Sequence, residues 1–418
     1  MKKNVIKNTI MLYGLSIAKI VFPLITLPYL TRVLTVDSYG VVAYVKSVMQ
    51  YMQIFVDFGF LLSGTKSIVE VREDKTKLGK VTGNILLARI FLSCIAFICL
   101  MVLTMTIPLL RENWIFTILS YIPVFLSIFL FDYLFRGIEQ MKTITVRFVV
   151  MKGLAAILTF AFVKGDMDII WIPVLDITGS FIAILLVLKS IQKIHIKIKF
   201  GNVKDAFKRV GESAIYFASN MATTAFGALN TVLIGAFLPT MDVAYWSVCL
   251  QIIGAIQTMY NPIIDAIYPE MVKHKDFKLI RKILIIFMPI ILAGSIFSFA
   301  IAPIALKIIG GVQYVGAANL FRSLIPVLIF SFPGMILGWT ALGSVGRQKQ
   351  VTISTILTAI FQISGILFLV LIHQFTIINL AILRGLTELF LLVIRSYFLY
   401  EYFNHEKRSS KYGKKNCA

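Results

Sequence analysis

Twelve apolar stretches, each with the ~20 residues a bilayer-spanning helix needs, dominate this chain and leave it few ways to fold. They lie at 8–30, 39–62, 82–107, 114–135, 145–164, 169–189, 213–237, 243–267, 282–306, 317–342, 351–372 and 376–400. Hydrocarbon offers no water to a backbone amide, so such a segment must satisfy its own hydrogen bonds. The pattern predicts an all-α integral membrane protein with twelve transmembrane helices. Only 15% of residues are charged, against about 25% in soluble domains, which excludes an ordinary soluble enzyme.

The net charge of +21 does not point to nucleic acid, because the positive residues fall between the apolar runs. Thirty Lys and Arg sit in one alternating set of connecting segments, from Lys2, Lys3 and Lys7 through Lys273–Lys282 to Lys407–Lys415. The opposite set holds Arg32, Arg111, Lys164 and Lys307. The positive-inside rule therefore places both termini in the cytoplasm, which an even number of spans also requires. The first stretch has a basic start and too long an apolar run for a cleaved leader, and reads as a retained signal-anchor. The basic segment 191–212 follows six spans and precedes six. It divides the chain into an N-terminal six-helix bundle (1–190), a basic cytoplasmic linker (191–212), a C-terminal six-helix bundle (213–400) and a basic tail (401–418).

Seven cations remain inside the spans: Lys19, Lys46, Arg89, Lys152, Arg322, Arg384 and Arg395. Each costs roughly 2.5–3.5 kcal/mol to insert, so each needs water, a counter-charge or an anionic ligand. Arg384 and Glu388 stand one helical turn apart and can neutralise each other. Arg395 reads as a snorkelling residue near a helix end. Asp132 and Arg136, again one turn apart, read as a structural pair. Lys19, Lys46, Arg89, Lys152 and Arg322 have no acid one turn away in their own span and are the candidate anion-binding residues. The competing reading gives them inter-helix salt bridges to Asp57, Asp176 or Asp265.

Polar residues line single faces of several spans. Lys46, Gln50, Gln53 and Asp57 share one face of the second, and Ser247, Gln251, Gly254, Thr258, Asn261 and Asp265 one face of the eighth. Asn220 belongs to a similar face of the seventh. We read Gln50, Gln53, Asn220, Gln251, Thr258 and Asn261 as lining a hydrated lumen, since exposing a whole polar face to lipid is prohibitive. Aligning Asp57 with Asp265 suggests an internal repeat, although the preceding loops then disagree by about a turn. Asp57, Asp176 and Asp265 are candidate sites for a coupling H⁺ or Na⁺. No cofactor motif is present: the chain lacks a P-loop, HExxH and GxSxG. Its four cysteines lack metal-site or disulfide spacing.

The segment FPLITLPYLTRVLTVDSYGVVAYVKSVMQYMQIFVDFGF, with its paired prolines, SYG and DFG, resembles the polysaccharide-transporter family of Wzx-type bacterial flippases. FDYLFRGIEQMKTITVR resembles a second recurring segment of that family. The family belongs to the MATE-like multidrug/oligosaccharidyl-lipid/polysaccharide superfamily. The resemblance implies two six-helix bundles in a V-shaped, MATE-like arrangement in the bacterial cytoplasmic membrane. It also implies transfer of an undecaprenyl-diphosphate-linked oligosaccharide for O-antigen, capsule or exopolysaccharide assembly. The implied partners are that lipid-linked sugar, membrane lipids and other polysaccharide-assembly proteins, with no nucleic acid. Related lipid II flippases bind diphosphate through basic residues on the first, second and eighth helices. Lys19 and Lys46 match the first two, whereas the eighth span carries Asp265 and no cation.

Two other functions compete. Cation-coupled drug exporters of the same superfamily rely on a carboxylate in the N-terminal half, often in the first helix, where this chain has Lys19. A membrane-embedded polysaccharide polymerase needs a sizeable outside loop with catalytic Arg or His, and the outside loops here are short.

Overall fold

A computed structural model describes residues 2–413, which form helices and connecting turns without a β-strand among them. The first run of helices is α1 (Lys2–Val33), α2 (Val36–Asp57), α3 (Phe60–Val71), α4 (Lys75–Thr106), α5 (Pro108–Glu112), α6 (Trp114–Leu126), α7 (Asp132–Gly137), α8 (Met141–Phe162) and α9 (Trp171–Ile194). The second is α10 (Val203–Phe237), α11 (Thr240–Thr258), α12 (Asn261–His274), α13 (Phe277–Gly310), α14 (Ala318–Met335), α15 (Gln348–Leu371) and α16 (Ile377–Gly413). A 3-10 turn at Val312–Ala317 precedes α14, and a π-helical segment at Ile336–Gly343 follows it.

The second run repeats the first. Helix α2 begins at 36 and α11 at 240, and α6 begins at 114 and α14 at 318, so each pair is 204 residues apart. Both copies break their second span: α2 gives way to α3 at Phe58–Gly59, and α11 to α12 at Met259–Tyr260. The N-caps match as well. The Asp74 carboxylate accepts from the backbone N–H groups of Thr76 and Lys77 at α4, and that of Asp276 accepts from Lys278 at α13. Each cap satisfies donors a helix start otherwise leaves unpaired. The repeat follows the register of the loops, not that of Asp57 and Asp265. The acid-based alignment is thus displaced by about one turn.

Among the described residues, nine helices are long and apolar enough to cross a membrane. The expected stretches 39–62, 213–237 and 243–267 are outside that set. Two of the three are the broken, polar-striped second and eighth spans, whose composition lowers their hydropathy. In the third, the apolar portion described is Ala228–Phe237.

By compactness the chain divides into residues up to Ala244 and residues from Tyr245 onward. In the first unit α8 packs on α1 and α9, α6 on α9, and α10 along α2, α3 and α4. In the second, α14 and α15 pack on α16, and α13 on α14. The linker is laid against α4: the Lys199 N–H donates to the Gly79 carbonyl at 3.2 Å and the Gly201 N–H to Asn84 Oδ1 at 3.0 Å. The α3–α10 contact closes around the break in span two. There the rings of Phe58 and Phe217 stack with centroids 4.3 Å apart, and Ser63 meets Ser213 at 2.6 Å.

Gly59 is held to glycine twice over. Its φ is +76°, and a Cβ there would lie 2.6 Å from the Cβ of Tyr216. Replacement by alanine should cost about 1–3 kcal/mol from strain and overpacking. Thermal unfolding in detergent should show Gly59→Ala melting several degrees below the parent, while Gly254→Ala, whose Cβ meets nothing within 4 Å, melts near it.

Candidate functional site: a lysine cluster in the first unit

Two helices of the first unit bring lysines to one acid on a third, and another lysine stands beside them. Lys152 on α8 donates from Nζ to Asp176 Oδ1 on α9 at 2.7 Å, with side chains 38% and 25% exposed. Lys46 on α2 is exposed and lies within electrostatic range of both Asp176 and Lys152. Lys19 on α1 is exposed too, and its Nζ stands 5.9 Å from the centroid of Phe148, one turn before Lys152 on α8. A single carboxylate therefore faces Lys152 and Lys46, with Lys19 held on the adjacent turn by a cation–π contact. The cluster keeps a positive excess inside a membrane bundle, the condition for holding an anion.

The other candidate cations are engaged elsewhere. Arg89, 5% exposed, pairs with Asp57 Oδ1 at 2.5 Å and points toward the carbonyls of Ser127 and Ile128. Gln53 completes this network by donating to Asp57 Oδ2 and to Ser127 Oγ, both at 3.0 Å. The group therefore ties α2 and α4 to the 3-10 turn at Ser127–Leu130, where the fourth span breaks before Phe131 (φ 49°). For Arg89 the inter-helix salt bridge is the arrangement present, and Gln53 is bound up in it. Arg322 donates from Nε to the Phe299 carbonyl at 3.1 Å. That carbonyl lies four residues before Pro303, which has no N–H to offer it. Arg322 thus replaces a lost helical hydrogen bond, and it also bonds Asn319 and sits over the Phe299 ring.

Arg395 does not snorkel. It is 8% exposed and donates to the Gly334 carbonyl at 2.6 Å and to Ser354 Oγ at 3.2 Å. Its guanidinium fills the space a Cβ on Gly338 would need, at the point where the helix is kinked. Asp132 pairs with Arg147 of α8 instead of Arg136. Helix α7 has six residues and starts at Asp132 itself, directly after the left-handed Phe131, so the acid faces a neighbouring helix. Arg147, counted among the loop cations, is consequently 3% exposed. Arg384 and Glu388 form the expected pair at 2.7 Å.

The remaining polar candidates are dispersed. Gln50, Asn261 and Asp265 are exposed, and Asn220, Gln251 and Thr258 are half-buried. The Thr258 hydroxyl donates to the Gly254 carbonyl. Phe148 was not singled out from sequence, although its position one turn from Lys152 was a usable signal.

Similarity to solved structures defines the class of fold. The chain resembles "Lipid II flippase MurJ, inward closed conformation" with a TM-score of 0.68 at 12% identity, covering 94% of this chain and 87% of the other. It resembles an "Inward-facing conformation of a multidrug resistance MATE family transporter of the MOP superfamily" with a TM-score of 0.66 at 12% identity, over 94% and 99%. The sequence then gives the family. The chain belongs to the polysaccharide biosynthesis protein family, whose profile matches residues 5–275. It is 27% identical to the "Putative O-antigen transporter" of Shigella dysenteriae over 85% of this chain and 90% of the relative. It is 25% identical to the protein of the same description in Escherichia coli K12, over 64% of this chain and 65% of the relative. The chain is a multi-pass membrane protein, and these relatives carry the names of transporters, not of enzymes.

The Arg89–Asp57 network makes a stability prediction. Asp57→Asn leaves a buried guanidinium without its counter-charge, a loss of about 3 kcal/mol. Lys46→Gln removes an exposed ammonium and should leave stability within about 0.5 kcal/mol. Melting of the two purified variants in one detergent separates a structural cation from a free one.

Proposed function

We propose that this protein is a flippase for an undecaprenyl-diphosphate-linked oligosaccharide repeat unit. In this reading it carries the unit across the bacterial cytoplasmic membrane by alternating access of two six-helix halves, for surface-polysaccharide assembly. One observation supports the reading above others: Lys46 and Lys152 share the single carboxylate of Asp176, and Lys19 lies against Phe148, one turn from Lys152, in a membrane-embedded bundle. A diphosphate presents several acceptor oxygens and at least two negative charges. Charge-assisted hydrogen bonds to such oxygens contribute about 1.5–3 kcal/mol each, enough to draw the headgroup off the membrane surface.

The site residues divide accordingly. Lys46 and Lys152 take the diphosphate, with Lys19 at its edge. Asp176 holds Lys152 when substrate is absent and competes with it when substrate arrives. That competition favours release, because a site that only attracts its ligand will not turn over. Arg89 and Arg322 leave the binding set, since their donors go to Asp57 and to the Phe299 carbonyl. Asp176 is also the acid best placed to take up H⁺ or Na⁺ as Lys152 turns to the phosphates. Gln50 is the polar side chain on the same face of α2, one turn from Lys46, and suits a sugar hydroxyl.

Charge reversal tests the binding role. Lys46→Glu and Lys152→Glu should abolish export, with the lipid-linked saccharide accumulating toward the cytosol while the protein still inserts. Lys46→Arg should retain export. Unimpaired export by both reversed variants would reject the site. Asp176→Asn should act in the opposite sense, tightening binding of a purified polyprenyl-diphosphate sugar roughly tenfold while slowing its transfer in proteoliposomes.

A further inference from the structure

The second unit contains an open groove of about 550 Å³ between α13, α16 and the π-helical segment. Phe277, Leu284, Met288, Leu337 and Phe403 form its apolar wall, and Arg281 is the charged residue that lines it. The volume falls within the roughly 300–1,000 Å³ of ligand-sized sites. On a soluble protein such a groove would await a partner. Here α13 is a membrane-crossing helix, and its surroundings are lipid.

Length identifies the occupant further. The groove follows α13 from Phe277 to Leu292, with Arg281 one turn in. From Arg281 to Leu292 a helix advances about 16 Å at ~1.5 Å per residue. That is close to half of a ~30 Å hydrocarbon core, the depth of one leaflet. A fatty-acyl chain fits that depth, whereas a much longer polyprenyl chain overruns it.

Charge identifies the headgroup. Arg281 is exposed, and no hydrogen bond or ion pair engages it among the described residues. Lys278 and Lys282 flank it, also exposed. The neighbouring carboxylates are already occupied: Asp276 caps α13, and Glu401 pairs with Arg347 at 3.3 Å. This end of α13 belongs to the basic set of connecting segments, where anionic lipid is attracted by about 1 kcal/mol per cation.

We propose that the α13–α16 groove binds an anionic glycerophospholipid of the leaflet next to the basic loops, its phosphate on Arg281 and one acyl chain along the groove toward Leu292. The site is separate from the lysine cluster and does not depend on the transported substrate. Bound there, the lipid packs against Leu337 in the kinked segment that Arg395 holds, so its occupancy stabilises that kink.

Native mass spectrometry of the full chain tests the site, with dioleoylphosphatidylglycerol and dioleoylphosphatidylcholine as probes. The parent should retain one phosphatidylglycerol at about tenfold lower lipid concentration than phosphatidylcholine. Arg281→Gln should erase that preference, and Arg281→Lys should keep most of it. Ile285→Trp, which fills the groove from its exposed edge, should weaken both lipids. If Ile285→Trp does not fold, the Arg281 pair decides alone. Equal retention of the two lipids by the parent, or an unchanged preference in Arg281→Gln, overturns the proposal. So does displacement of phosphatidylglycerol by equimolar long-chain polyprenyl phosphate, which would make the groove a substrate-tail site.

Discussion

Hydrocarbon tolerates no unpaired cation and no unpaired backbone carbonyl, and this fold answers both costs together. Arg322 takes the carbonyl that Pro303 cannot serve, and Arg395 takes the one exposed by the kink at Gly338. Arg89 and Arg147 instead take carboxylates delivered by neighbouring helices. The arginines thereby act as pins at the places where helices break. Their planar, multi-donor heads suit that work better than an ammonium does. The lysines are left partly exposed in the first bundle and only partly compensated by Asp176, as the proposed anion site requires.

The internal repeat sharpens this division. Counted from the helix starts, the positions of Lys46, Lys152 and Asp176 correspond to Leu250, Ala359 and Ile382 in the second copy. The architecture is duplicated and the charge cluster is not. Buried charge in the second unit goes into Arg384–Glu388 and Arg395, both integral to the packing of α14, α15 and α16. A transporter built from two similar halves can then place its headgroup chemistry in one of them.

Much of this was legible in the sequence, for identifiable reasons. Nine spans follow from apolar run length alone, and Arg384–Glu388 from helical spacing. Lys46 and Lys152 were visible as cations lacking an acid one turn away in their own span. What the chain order hides is pairing across helices. Arg89 and Asp57 are 32 positions apart, and only the packing of α2 on α4 joins them. Arg395 looked like a helix-end residue because hydropathy fades after 400, yet α16 continues to Gly413 and leaves Arg395 deep in the bundle. The broken second and eighth spans were read whole, since nothing apolar ceases at Phe58 or Met259. Only backbone geometry reveals those turns.

The central claim is that the lysine cluster faces water while Arg89 and Arg395 are sealed, and accessibility measures it directly. In a background with the four native cysteines replaced by serine, single cysteines at 19, 46, 152, 89 and 395 would be treated in membranes with a small anionic thiol reagent. The account predicts rapid modification at 19, 46 and 152, slowed by a polyprenyl-diphosphate sugar, and none at 89 or 395. Uniform resistance at the three lysine positions, or reaction at Arg89 as fast as at Lys46, would contradict it.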